Sequence, residues 1–295
     1  MLSKTAGAAA LLALRVASPN VAAGSLPPWA HEEKVASTNV PWPVPVVVLT
    51  PPSYEGSDRS YPTLYFLHDS QENERALLSQ GVAEGLRDAM REGSLAEAVV
   101  VAPRGTGTWF VDSFDGRVKY DSFLASELVP WVETRYRVRK ARSARAALGI
   151  SMGGYGALHW GFRHPELFCV VGGLSPAVET LNWKTMTGMP FFLRPWMRRV
   201  FGSSETSNAF VANDLYDGFL SDPALASRVP EVVLRCGRED RYRLAELSTF
   251  FRDYLEAMGV KAELTLEPGV HEWTYWRTAL PKLFRSVAER MRLAS

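Results

Sequence analysis

The sequence predicts an α/β protein built on a mostly parallel, twisted sheet with helices on both faces. Three observations carry this. Short apolar runs alternate with longer segments of helical periodicity along most of the chain. Several of those runs are apolar at every position, as in strands covered on both sides. The composition, 295 residues with 46% hydrophobic and 22% charged, is that of a globular chain with enough apolar material for a large core.

The first segment stands apart. Residues 1–23 hold Lys4, an apolar run from Ala6 to Leu14 closed by Arg15, and the small residues Val21, Ala22 and Ala23, with no acid before Glu32. This reads as a secretory signal cleaved near Ala23, or else as a disordered or transit-type leader. With a signal the protein would be secreted or periplasmic; otherwise it would be cytoplasmic. The run is too short to span a membrane. Residues 24–295 are expected to form one domain.

The elements follow in order. "SLPPW" and "PWPVP" are proline-rich and extended. Val44–Thr50 is a strand ended by Pro51-Pro52, and Thr63–His68 is a second. From Asn73, the spacing of Ala76, Leu77, Val82, Leu86 and Met90 predicts a helix ending at Gly93. "EAVVVAP" is an apolar strand leading into the loop "RGTGTWFVDSFDG". Residues 121–136 form a helix with Asp121 as candidate N-cap. "ARAALG" is a short strand, followed by a helix after Ser151 and the strand "FCVVGGLS". Later come the strand "EVVLRCG", a helix over "RLAELSTFFRDYLEAMG", the strand "KAELTLE" and a last helix from about Glu272. Residues 176–230 break this rhythm and are too long for a simple connection. They read as a partly helical, cap-like insertion over the strand ends, where α/β sheets keep their sites. Its stretch "PFFLRPWMRRVFG" could instead lie on a membrane surface; the cap is the preferred reading, with membrane contact not expected.

Charge and cysteine narrow the function. A formal net charge of +1 and the lack of a basic stripe argue against a nucleic-acid partner. Cys169 and Cys236 are too few for a disulfide framework and read as buried thiols. No metal-type spacing of His and Cys occurs.

Gly149-Ile150-Ser151-Met152-Gly153 is G-x-S-x-G between a predicted strand and a predicted helix. In that context the serine sits at the tip of a sharp turn, and glycines two positions either side let the backbones approach. Gly154 and Gly156 are expected to let the helix pack closely on the sheet. The helix N-terminus favours developing negative charge. A serine hydroxyl needs a base. Of the five histidines, His31 precedes the predicted fold, His68 ends a strand, and His159 and His164 lie along or at the end of the helix. His271 remains, in a loop after the last strand. The chain order Ser…Asp/Glu…His then asks for an acid after a strand. Asp240 is favoured, with Glu239 the alternative. Met152 N–H is the first oxyanion donor, and the loop at Asp69 and Ser70 offers a second.

These residues resemble the putative-esterase family of α/β-hydrolases, which includes feruloyl and acetylxylan esterases, S-formylglutathione hydrolases (esterase D) and the mycolyltransferase antigens. The likeness runs from about Val44 to Leu293 through "YPTLYFLH", "TWFVDSFDG", "ELVPWVETRYRV", "GISMGGYGALHWGFRHPELF", "LRCGRED" and "PGVHEWTYWRTALP". It implies an α/β-hydrolase fold, Ser151 as nucleophile, Asp240 as acid, His271 as base, and an oxyanion hole from Ser70 and Met152. One departure stands out. The family usually has His-Gly where this chain has His68-Asp69, which calls for an unusual backbone angle that Asp tolerates only in part.

The expected function is a serine carboxylesterase acting through an acyl-enzyme on a small-molecule or carbohydrate ester, with no cofactor or metal. Trp109, Phe110 and Trp273 are candidates for the pocket wall or, equally, for the core. The rival readings are an acyltransferase using the same triad and a non-catalytic binding protein on the same fold.

Overall fold

The computed structural model describes residues 26–178, 194–202, 213–216 and 223–293. The eight strands are β1 (Ala30–Val35), β2 (Val44–Leu49), β3 (Thr63–Leu67), β4 (Val99–Pro103), β5 (Arg145–Ile150), β6 (Val170–Leu174), β7 (Glu231–Gly237) and β8 (Ala262–Glu267). They form one sheet in the order β1-β2-β4-β3-β5-β6-β7-β8. β1–β2 and β2–β4 pair antiparallel; every other neighbouring pair is parallel.

The strand β1 goes beyond the sequence reading. "AHEEKV" is highly charged at its centre and carries no continuous apolar run. It is one of the sheet's two edge strands, buried at its two ends and partly exposed between them, so its charges meet solvent and guard the edge. His31, expected to precede the fold, lies in it.

The helices are α1 (Ala76–Ser79), α2 (Val82–Arg91), α3 (Tyr120–Phe123), α4 (Val129–Arg135), α5 (Met152–Arg163), α6 (Arg194–Phe201), α7 (Leu244–Ala257) and α8 (Trp273–Leu293). The helix predicted from Asn73 is two helices, broken at Gly81, whose φ of 69° ends one and starts the next. Between α3 and α4 the chain makes a π-turn, Leu124–Leu128, next to Pro130, whose missing N–H prevents a regular ladder. Asp121 is not an N-cap; it lies inside α3. The Ser122 N–H is taken instead by the Asp112 carboxylate at 3.0 Å.

Alternation along each strand builds two cores. Tyr65 and Leu67 face the layer containing α5, whereas Leu64 and Phe66 face the layer containing α2 and α8. All these strand residues are fully buried, as a sheet covered on both faces requires.

The predicted leader, residues 1–23, lies outside the described residues, as does much of the segment 176–230. Within that segment α6 turns Met197, Val200 and Phe201 into the core and leaves Arg198 and Arg199 exposed. Its apolar side is therefore packed on the protein. No helix among the described residues is long and apolar enough to cross a membrane.

Candidate active site

The parallel register brings the C-terminal ends of β3, β5, β6, β7 and β8 to one rim. Leu67 lies opposite Gly149, Ile150 opposite Leu174, and Gly237 opposite Glu267. The loops after β3, β5, β7 and β8 leave from that rim, and each carries one of the singled-out residues.

Ser151 sits between β5 and α5 with φ 52° and ψ −112°. A non-glycine residue at positive φ is strained, and it persists only where the surroundings over-determine it. Here the backbone approach does so. A Cβ on Gly153 would lie 2.0 Å from the Leu67 carbonyl oxygen, and one on Gly149 would lie 2.3 Å from the Gly153 oxygen. Gly154 serves the close packing expected of it in part: a Cβ there would lie 3.3 Å from the Gly149 oxygen of β5, and nearer still, at 2.9 Å, to Pro176 on the loop after β6. Gly156 differs from the expectation, its missing Cβ making room for Phe110 on the loop after β4.

The Ser151 Oγ lies 3.0 Å from His271 Nε2. On the far side of the ring, His271 Nδ1 lies 2.7 Å from Asp240 Oδ2. The carboxylate's other oxygen accepts the Tyr242 N–H at 3.0 Å, and the Cys236 Sγ lies 3.9 Å from Oδ2. Burial and then the nearby Asp240 charge push the Cys236 thiol up to about 12, so it stays protonated and donates. A carboxylate receives protons, so Nδ1 carries the hydrogen and Nε2 offers its lone pair to the serine. The ring is walled in by aromatic edges: Tyr242 at 4.9 Å and Trp276 at 4.8 Å between centroids, both nearly perpendicular. Trp276 Nε1–H donates to the buried Ser175 Oγ at 3.2 Å.

Glu239, the alternative acid, has another place. Its Oε2 accepts the Gly269 N–H at 2.7 Å, and its own N–H donates to the Gly269 carbonyl at 3.0 Å. It ties the acid loop to the histidine loop instead of facing the imidazole.

The backbone N–H groups of Ser70 and Met152 find no protein acceptor among the described residues. His68 sets the loop that carries the first. The Gly105 N–H donates to His68 Nε2 at 3.0 Å, so the other ring nitrogen holds the hydrogen and donates to the Asp69 carbonyl at 2.7 Å. Burial pushes His68 down to about 4, which keeps the ring neutral and this tautomer stable. The expected need for a left-handed angle at residue 69 is not met: Asp69 is absent from the positive-φ residues, which are Trp109, Phe110, Ser151, Ser175 and Arg243. The Asp69 carboxylate is buried and accepts from Gln71 N–H and Trp273 Nε1–H.

The aromatic candidates divide. Phe110 is fully buried in the core cluster, its ring edge-on to His68 at 5.3 Å. Trp109 is nearly buried against Tyr155 and Phe201. Trp273 is partly exposed beside the histidine loop. Tyr242, 56% exposed over the imidazole, was missed in the sequence; its signal was an aromatic two residues after the acid. Both cysteines are free thiols, Cys169 only half-buried. Among the described residues no group of three or more His, Cys, Asp or Glu side chains is arranged to hold a metal ion.

Known proteins share this architecture. A solved ferulic acid esterase superposes with a TM-score of 0.73 at 23% identity, over 90% of this chain and 98% of that one. An acetyl esterase of Caldicellulosiruptor saccharolyticus is 24% identical over 193 residues, 63% of this chain and 70% of that protein. Esterase Rv1288 of Mycobacterium tuberculosis is 31% identical over 126 residues, 42% of this chain, but the match spans only 27% of that longer protein. Fold and relatives together define an α/β-hydrolase-fold esterase. The family described as "Putative esterase" matches residues 37–287, and the chain belongs to that family.

Proposed function

We propose that the chain is a serine carboxylesterase in which Ser151, His271 and Asp240 act as nucleophile, general base and orienting acid. The observation that carries this reading is the unbroken line of hydrogen bonds from the strained Ser151 Oγ through both imidazole nitrogens to the buried Asp240 carboxylate. Nε2 takes the serine proton as Oγ bonds to the ester carbonyl carbon. The carbonyl electrons move to oxygen, and the N–H groups of Ser70 and Met152 stabilise that oxyanion. When the oxyanion collapses, the C–O bond to the alcohol breaks and the imidazolium returns its proton to the departing oxygen. Water then repeats the sequence on the acyl-enzyme, releasing the acid and restoring Ser151. Asp240 steadies the imidazolium that forms at these intermediate stages.

The substrate class in this proposal is a small-molecule or carbohydrate ester, the alcohol or acyl part lying against Tyr242 at the rim. Residues 176–230 act as the cap of a single domain, with α6 held by its apolar face. The test is Ser151→Ala on hydrolysis of p-nitrophenyl acetate. Turnover should fall by at least about a thousandfold with an unchanged thermal melt. Undiminished turnover rejects Ser151 as nucleophile.

A further inference from the structure

The Asp69 side chain, in the loop after β3, is neither idle nor solvated. It is 2% exposed. Its Oδ1 accepts the Gln71 N–H at 2.9 Å, within its own loop. Its Oδ2 accepts the Trp273 Nε1–H at 3.1 Å, across 204 residues of sequence. Trp273 stands two residues after His271, at the start of α8. Its ring meets Trp276 at 5.7 Å, and Trp276 in turn forms one wall of the imidazole. The backbone of the same residue is pinned as well. The His68 Nδ1–H and, at 3.4 Å, the Glu72 N–H both donate to the Asp69 carbonyl. The peptide between Asp69 and Ser70 is trans. Its N–H therefore points opposite to its C=O, away from His68. Carbonyl and carboxylate together fix how the Ser70 N–H is presented, and the carboxylate carries that constraint to the histidine loop.

We propose that Asp69 is a positioning residue that clasps the loop carrying the Ser70 donor to the loop carrying His271 through its hydrogen bond to Trp273. The inference rests on the esterase reading above. A glycine would leave the two loops to hold their separation by packing alone. The buried carboxylate replaces that with a directional bond between a charged acceptor and an indole, stronger than a neutral pair. The oxyanion donor and the base then keep their spacing as charge develops on both, the moment when small displacements cost most.

The experiment is a double-mutant cycle with Asp69→Asn, Trp273→Phe and the double variant, assayed with p-nitrophenyl acetate. Asn keeps the shape but cannot accept both N–H donors; Phe keeps a ring but cannot donate. Each single variant should lose about ten- to a hundredfold in kcat, with KM within about threefold of wild type. The double variant should be no worse than the poorer single one, because one bond cannot be lost twice. Multiplying losses, or a kcat within about twofold of wild type in Trp273→Phe, would overturn the clasp. If Asp69→Asn does not fold, Trp273→Phe alone decides, since its indole is partly exposed. A fluorophosphonate probe separates the two readings. Failure to label folded wild type sinks the esterase reading, whereas stoichiometric labelling with indifferent variants sinks only the clasp.

Discussion

Replacing Asp240 by Asn tests the relay more sharply than deletion, because the shape survives and only the hydrogen-bond sense changes. In the structure Oδ1 accepts the Tyr242 N–H and Oδ2 accepts the His271 Nδ1–H. An asparagine has one oxygen for two donors. The Tyr242 N–H is a backbone donor with no freedom to reverse, whereas the imidazole can move its hydrogen from one nitrogen to the other. The amide oxygen therefore stays with Tyr242, and the NH2 group turns to Nδ1. That nitrogen must then be the acceptor, so the ring carries its hydrogen on Nε2, facing Ser151 Oγ. A base with its lone pair pointing away cannot take the serine proton. The same inversion in a serine protease costs about ten-thousandfold in kcat, or about 5 kcal/mol of barrier. We expect a loss of about a thousand- to ten-thousandfold here, read as kcat for p-nitrophenyl acetate, with KM nearly unchanged and the thermal melt within a few degrees. A kcat within about tenfold of wild type, in a folded protein, would refute this account of the tautomer and of Asp240.

Two further predictions concern the scaffold. Gly153→Ala would drive its Cβ to 2.0 Å from the Leu67 oxygen. It should cost at least about 2 kcal/mol of stability and most of the activity. Gly85→Ala, on the exposed side of α2 with nothing within 4 Å, should instead stabilise by about 0.5–1 kcal/mol; chemical denaturation of both variants checks the contrast. The second prediction concerns pH. Asp121 lies 2.7 Å from His164 Nε2 and 3.5 Å from His159 Nδ1. Burial pulls His164 down, but the bond to Asp121 and its charge outweigh this and leave it raised. Burial likewise pushes Asp121 up, but the proximity of His159 and the hydrogen bond and charge of His164 hold it well below the ordinary carboxylate range. The His164 contribution is therefore fully present below its unfolded pKa, about 6.5, and is lost as pH rises through the higher folded value. The Asp121 contribution is present above about 4 and is lost as pH falls. Melting temperature should decline on the alkaline side of neutrality, and His164→Asn should flatten that decline; an identical slope in the variant would contradict it.

How far the sequence spoke depended on whether a residue's environment is set locally. Six strands were visible because each is an apolar run set largely inside the sheet, β8 because its apolar and polar residues alternate, and Ser151 because the turn that strains it needs glycines on both sides. β1 was hidden because an edge strand can be charged, which its sequence neighbours do not reveal. His271 emerged by elimination among five histidines. Asp240 and Glu239 could not be separated along the chain, since both follow β7 directly. What separates them is a meeting of two loops. A Cβ on Gly237 would lie 2.2 Å from the Gly269 oxygen, and that approach delivers the Gly269 N–H to Glu239 while the imidazole faces Asp240.

The same reasoning explains why the supporting groups were illegible. Tyr242, Ser175, Trp276 and the Asp69–Trp273 bond act on His271 or its loops through contacts between segments from 29 to 204 residues apart, taking Tyr242 from its ring contact with His271 and the others from their hydrogen bonds. No periodicity or spacing marks such pairs. Asp69 shows the cost of reading a position only through its backbone. A glycine there suggests a demand for positive φ, so an aspartate looks like a defect. In the structure the backbone angle is ordinary, and the difference lies in the side chain, which reaches across the rim to an indole. The substitution trades conformational freedom for a bond, and its effect should therefore be sought in the coupling between the two loops and not in the shape of either one alone.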